Sequence, residues 1–199
     1  MVETLLLDAR TQMELAGVAL AAAAVLAVPL GVLAASMRLL RPPILALASL
    51  GRTIPSLAVL MFVLPFLGVG FLPAVVALTL LAVPPIAINV DVALRGVPEA
   101  PLDAARGIGM TSRQRFLQIA WPLSLPVTLA GVRTAAIEVV ASATLATFIG
   151  GGGLGDDIVR GLQTGDATLL IAASATVAAL AFAVELLLGA AVRGVEARA

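Results

Sequence analysis

The sequence predicts an all-α, polytopic membrane protein with about five transmembrane helices. One observation is compositional. Of 199 residues, 61% are hydrophobic and 12% charged, with a mean hydropathy of +1.12. A water-soluble domain carries about 45–50% apolar and about 25% charged residues, so this chain cannot cover itself with polar surface. A second is continuity: the apolar runs are unbroken, whereas barrel strands alternate over about ten residues. A third is the segregation of Arg to one set of loops. The balance excludes a disordered chain, a basic nucleic-acid binder and a disulfide scaffold.

Five stretches read as spans, in order about Leu15 to Met37, Ile44 to Leu67, Phe71 to Leu94, Val127 to Ile149 and Thr168 to Val192. At 1.5 Å per residue each is long enough to cross a hydrocarbon core of about 30 Å with some tilt. The first reads as a retained span. It is too long for a signal-peptide core, and its leader, with Glu3, Asp8, Arg10 and Glu14, is net acidic. Five spans put the termini on opposite sides. Arg38, Arg41, Arg52, Arg95, Arg106, Arg113, Arg115, Arg133, Arg193 and Arg198 fall on one side, against Arg10 and Arg160 on the other. The positive-inside bias therefore predicts a cytoplasmic third loop and C-terminus and an external N-terminus. Residues 1–199 read as one membrane domain without internal repeats.

The absences bound the chemistry. All 12 basic residues are Arg, and the chain has no Lys, His, Cys or Tyr. That excludes a phosphate loop ending in G-K-[ST], a Schiff-base lysine, and thiol or imidazole catalysis. No catalytic, cofactor-binding or metal site is expected; Asp156, Asp157 and Asp166 read as loop acids facing water. If the protein moves a solute uphill, the energy-consuming chemistry lies in another subunit.

The informative segment is the loop from about Arg95 to Pro126. Asp103 suits the first turn of a helix starting near Pro101, where its charge meets the positive end of the dipole. Ala104 and Ala105 are small enough to let a partner surface approach. Gly109 is placed to close that helix in a left-handed conformation, and Thr111 to cap a second one. Phe116 and Ile119 lie one turn apart, and Pro122 and Pro126 are expected to end the run. The residues alone leave two readings: an amphipathic segment resting on headgroups, or a docking surface.

The spacing Asp103-Ala104-Ala105, Gly109, Ile119, Pro122 resembles the "EAA" coupling motif of membrane subunits of ATP-binding-cassette importers, with Asp for the usual Glu and Trp121 for a Leu. Further segments are similar to osmoprotectant permeases for glycine betaine, choline or carnitine. They are Arg52-Thr53-Ile54-Pro55-Ser56, Pro84-Pro85 with Asn89, Ala130-Gly131-Val132-Arg133-Thr134, and the stretch from Ala143 through the glycine run Gly150–Gly155. Methionine-type importers share the glycine run and an R-[ST]-I-P segment. The resemblance implies a type I importer fold, a loop docked in a groove of an ATPase subunit, and a second permease subunit. It also implies an extracytoplasmic solute-binding protein that docks near the glycine run. ATP and magnesium would be bound by the partner ATPase and not by this chain. A methionine or other amino-acid importer is the alternative within the family; an ATP-independent secondary transporter is the alternative outside it.

Polar residues and helix breakers at membrane depth complete the expectations. Arg52, Thr53, Pro55, Ser56, Asn89 and Glu138 are candidates for the translocation path; equally, Thr53, Ser56 and Asn89 could serve only to satisfy backbone groups freed by Pro55, Pro65, Pro84 and Pro85. Arg52 and Asp91 are expected near the cytoplasmic interface, with Glu185 reaching it too. Glu138 sits inside span four, where a charge costs about 2.5–3.5 kcal/mol on insertion scales. It is expected to face the bundle interior, to pair with an Arg such as Arg52 or Arg133, or to be protonated. With no Tyr and one Trp, the chain has no material for an aromatic cage, so solute selection is expected in the binding protein.

Overall fold

The computed structural model describes residues 2–197, which are helical apart from short connections and contain no strand. Arg198, one of the charges in the orientation argument, lies outside the described residues. The helices are α1 (Val2–Ser36), α2 (Arg41–Thr53), α3 (Ser56–Leu67), α4 (Phe71–Arg95), α5 (Glu99–Gly107), α6 (Ser112–Arg115), α7 (Trp121–Ser142), α8 (Leu154–Thr164) and α9 (Ala167–Glu196). A π turn over Phe116–Ala120 joins α6 to α7, and a 3₁₀ segment over Ala143–Ile149 follows α7. Among the described residues four helices are long and apolar enough to cross a membrane, five if α2 and α3 make one span.

The expected second span is not a straight helix. It breaks at Ile54–Pro55, and α2 and α3 meet at 102°. Pro55 explains the break: it disfavours helical geometry in Ile54, which is extended at ψ 126°. The fourth span also departs from expectation. Its helix begins well before Val127, and its last turns tighten into the 3₁₀ segment.

The centre of the bundle is α4, packed between α1, α7 and the α2–α3 pair. Its contact with α1 is made by small residues. Ala16, Ala19, Ala23 and Ala27 recur every three to four positions along α1 and are all buried. In a bilayer, where lipid is as apolar as a core, such close backbone approach supplies the packing energy. Gly31 extends the same face: a Cβ there would stand 2.5 Å from the Cβ of Val90 and 2.7 Å from the carbonyl oxygen of Ala87. Gly131 plays this part between α7 and α4, where a Cβ would lie 2.4 Å from that of Asn89.

Two ion pairs fasten helices to one another. Arg41 of α2 donates from Nε to both Asp91 oxygens of α4, at 3.1 and 3.2 Å. Asp91 is buried, at 1% exposure, one turn before the end of α4, with its carboxylate held by Arg41 at the start of α2. Arg133 of α7 donates from Nε to Glu185 of α9 at 2.8 Å and makes a second bond through its other guanidinium nitrogen. Hydrocarbon makes a lone charge so costly that these groups find one another across the bundle.

At the end away from α5, the glycine run is a packing device rather than a slack turn. A Cβ on Gly151 would meet those of Ala146 and Ala74 at 2.7 and 2.8 Å, and one on Gly155 would lie 2.0 Å from the Thr144 carbonyl oxygen. Here α8 packs against α1 and α9. Gln12 is buried and donates to the Val140 carbonyl at 2.9 Å. Asp157 is fully buried rather than facing water, accepts from Arg160 at 3.2 Å, and leaves Oδ2 without a partner. Asp166 caps α9 by accepting from the Leu169 N–H at 3.0 Å.

Asp8, in the turns of α1 ahead of the apolar segment, faces Asp157. Burial first, then the Asp157 carboxyl and the charges of Asp157 and Asp156, push its pKa up to about 6 against an opposing pull from Arg160. Because the native value is raised, ionising Asp8 costs folding free energy progressively as pH rises from the ordinary 3.8 through about 6, and the full cost stands above that.

This packing makes two outcomes measurable. Gly31→Val lowers the denaturation midpoint in detergent by the equivalent of about 1–3 kcal/mol or more, whereas Gly17→Ala, with nothing within 4 Å of the new Cβ, leaves it in place. Asp8→Asn raises the melting temperature at neutral pH and flattens its fall between acid and neutral pH, measured by thermal scanning of the purified protein.

Candidate functional site

The segment between α4 and α7 forms a ledge beyond the end of the bundle. After Arg95 the chain turns at Gly96, and Pro98 is extended at φ −58°, ψ 144°. That geometry sets the start of α5 at Glu99 and not near Pro101. Glu99 is thus the first-turn acid, and Pro101 sits where its missing N–H has no helical partner to lose. Asp103 falls mid-helix and pairs with Arg106 at 2.6 Å, both side chains 61% exposed. An exposed pair of this kind holds the fold little. Ala104 faces outward, and Ala105 faces inward and is buried.

Gly109 ends α5 as its position suggested, at φ +80°, a conformation that L side chains rarely adopt. Its N–H donates to the Arg106 carbonyl at 3.0 Å, and that of Met110 to Ala105 at 3.0 Å. Thr111 then opens α6 with a reciprocal cap: its hydroxyl accepts from the Gln114 N–H at 3.3 Å, and the Gln114 side chain accepts from the Thr111 N–H at 2.9 Å. At the apex between the two helices Ile108 is 80% exposed. Arg106 and Arg113 flank it, also exposed. An apolar tip ringed by guanidinium groups suits a concave partner with an apolar floor and an acidic rim.

The expected stop at Pro122 and Pro126 does not occur. The helix runs on from α6 through the π turn into α7, so that Ser112–Ile149 is one 38-residue element. The π turn is the physical reason. The Trp121 N–H reaches back five residues to the Phe116 carbonyl, and this wider turn makes room for Pro122 directly after it. Phe116 and Trp121 pack at 6.1 Å between ring centres across the wide turn. Ser124, buried, returns a hydrogen bond to the Trp121 carbonyl at 2.8 Å. Ile119 and Pro122 lie beneath α5, lining with Pro101, Leu123 and Val195 a cavity of about 480 Å³. The outer helix of the ledge, α6, is therefore continuous with α7.

The other candidates divide into two places. Arg52, Thr53, Pro55 and Ser56 lie at the α2–α3 break, where the Thr53 hydroxyl donates to the Leu50 carbonyl at 2.7 Å. The cavity of about 620 Å³ beside the break is lined by apolar side chains such as Leu30, Ile54, Phe62 and Leu80, and by none of Arg52, Thr53, Ser56 or Asn89. Asn89 and Glu138 lie instead along α4 and α7. Asn89 donates to the carbonyl of Pro85, one turn back on its own helix, at 2.8 Å. The carbonyls that the two prolines free are those of Leu80 and Leu81, so Asn89 does not serve them. Glu138 has neither partner expected for it: Arg133 is taken by Glu185, and no ion pair joins Glu138 to Arg52 among the described residues. The pairs Arg41–Asp91 and Arg133–Glu185 leave no local signal in the sequence because their members are 50 and 52 residues apart.

The chain matches, over residues 27–198, the family described as binding-protein-dependent transport system inner membrane component. It is 42% identical over 163 residues to the carnitine transport permease protein OpuCB of Listeria monocytogenes, covering 82% of this chain and 75% of that one. It is 42% identical over 167 residues to the choline transport system permease protein OpuBB of Bacillus subtilis, covering 84% and 77%. With the osmoprotectant import permease protein OsmW of Salmonella typhimurium it shares 37% over 179 residues, covering 87% and 83%. Among solved structures, an inward-facing form of the MetNI methionine ABC transporter superposes with a TM-score of 0.87 at 25% identity, covering 98% of this chain and 97% of that one.

The ledge geometry carries its own test. Gly109→Val forces a β-branched residue to positive φ at a cost of about 1–2 kcal/mol. Thr111→Ala removes a cap worth about 1 kcal/mol. Both are expected to speed amide hydrogen exchange from Arg106 to Phe116 while exchange within α4 stays unchanged.

Proposed function

The chain belongs to the binding-protein-dependent transport system inner membrane component family, and from that premise we propose that it is the permease subunit of an ATP-driven importer of quaternary-ammonium osmoprotectants such as glycine betaine, choline or carnitine. The solute class rests on relatives named for choline and carnitine transport at 42% identity, against 25% for the methionine transporter whose fold it shares.

In this reading the ledge is the cytoplasmic handle and the C-terminus is cytoplasmic, which puts the N-terminus and the glycine run outside. The single observation that carries the mechanism is the unbroken helix from Ser112 into α7. An ATPase subunit grips Ile108 and the α5–α6 turn, with Asp103, Ala104, Ala105 and Gly109 shaping the contact. Ile119 and Pro122 hold the turn on the helix below. Closure of paired ATPases then tilts α7, and with α7 move α4, packed through Gly131, and α9, held by Arg133–Glu185. Two permease subunits supply two such handles, and a solute-binding protein delivers solute at the opposite end. Arg52, Thr53, Pro55 and Ser56, at the break of the bent α2–α3 pair, and Asn89, on α4 where it meets α7, are assigned to the surroundings of the path.

The test is uptake of labelled choline and glycine betaine by vesicles holding this chain with its ATPase and binding protein. Uptake should require ATP, and Ile108→Asp should reduce it about tenfold or more by burying a charge at the tip of the contact. Uptake without the ATPase, or selective uptake of methionine, overturns the proposal.

A further inference from the structure

Three carboxylates lie within the spans: Asp91, Glu138 and Glu185. The first is held by Arg41 and the last by Arg133. Glu138 has no ion pair or hydrogen bond among the described residues, and Arg133, on the same helix, is engaged by Glu185. Its place on α7 is defined by its neighbours. Residues 131, 135, 139 and 142 are buried, and 136 and 140 are buried on a second face where α1 and α9 pack. Glu138, half-buried, lies on the remaining side with Thr134 and Ala141, both exposed. At 3.6 residues per turn Thr134, Glu138 and Ala141 form one stripe. Gly131 and Asn89 border that stripe, where α7 meets α4. The Thr134 hydroxyl satisfies itself on the Ala130 carbonyl at 3.1 Å, which leaves the carboxylate as the one uncompensated group on the stripe.

A carboxylate at this depth is not stable against lipid, so in the working protein this stripe faces water or a cation. We propose that Glu138 is a transit site for the cationic head of the solute, a carboxylate on the path wall that favours a quaternary ammonium carrying net positive charge. This rests on the importer reading above and goes beyond it by assigning charge selectivity to the permease itself. A quaternary nitrogen has no N–H to donate, so its recognition outside an aromatic cage is by charge, and one half-buried carboxylate supplies that without a fixed hydrogen-bond geometry. A zwitterion such as glycine betaine brings its own carboxylate and gains less from Glu138 than choline, which has none.

The experiment uses the assembled complex with its ATPase and binding protein in vesicles. Choline and glycine betaine uptake are compared for the wild type, Glu138→Gln, Glu138→Asp and the double variant Thr134→Asp with Glu138→Gln. Complex assembly is followed by size-exclusion chromatography. Glu138→Gln should lower the choline-to-betaine uptake ratio about tenfold with assembly intact. Glu138→Asp should hold most of the ratio, and a carboxylate one turn away at position 134 should restore part of it. Equal loss of both solutes, no change in the ratio, or loss of assembly with Glu138→Gln overturns the proposal; the last outcome assigns Glu138 to an ion pair between subunits. If the wild-type complex carries neither solute, the osmoprotectant reading itself fails, and that result is separable from any effect of the substitutions.

Discussion

The connection that the rest of the structure depends on is the helix that leaves the ledge at Ser112 and does not stop until the bundle has been crossed. Two prolines lie in it, and either would ordinarily end a helix or kink it. The π turn at Phe116–Ala120 absorbs the first by widening the backbone just ahead of Pro122. Without that turn α5 and α6 would hang from a hinge, and a force on Ile108 would be lost in bending. With it, α6 and α7 run on as one helix, and the proposed lever rests on that continuity.

What the lever moves is decided by how the bundle is fastened. The α1–α4 contact is made of alanines and Gly31, and the α7–α4 contact turns on Gly131. At both glycines the facing side chain, Val90 or Asn89, fills the space a Cβ would take, so the helices approach closely. The ion pairs act further out, Arg41–Asp91 fixing the start of α2 and Arg133–Glu185 fixing α9 to α7. The bent α2–α3 pair borders a void of about 620 Å³ lined by apolar side chains. A closely packed frame beside one broken span suits alternating access, which needs a part that moves against parts that do not.

Much of this is legible in the sequence, because the bilayer imposes a strong signal on it. Continuous apolar runs mark the spans, and Gly109 and Thr111 announce the turn and cap of the loop. Those features are local: a left-handed glycine and a Ser/Thr cap depend on a few neighbouring residues. What the sequence hides is of two kinds. Proline judged by its usual effect on an ordinary helix predicts a stop at Pro122, which a π turn accommodates, and sets the start of α5 near Pro101 when Pro98 sets it at Glu99. Charges judged one at a time miss the Arg41 that holds Asp91 and give Glu138 a partner that belongs to Glu185. Ion pairs between helices far apart along the chain leave no mark in local sequence.

The claim that ledge and span move as one body is open to direct measurement. Spin labels at Ile108 and Ala141, both exposed, report the distance between the tip of the ledge and the far end of α7 within one chain. Pulsed electron paramagnetic resonance on the assembled importer should give the same distance with and without ATP, while Ala141 shifts relative to the facing permease subunit. A distance from Ile108 to Ala141 that changes on ATP binding, with Ala141 stationary, would mean that the ledge swings on a hinge and the lever does not exist.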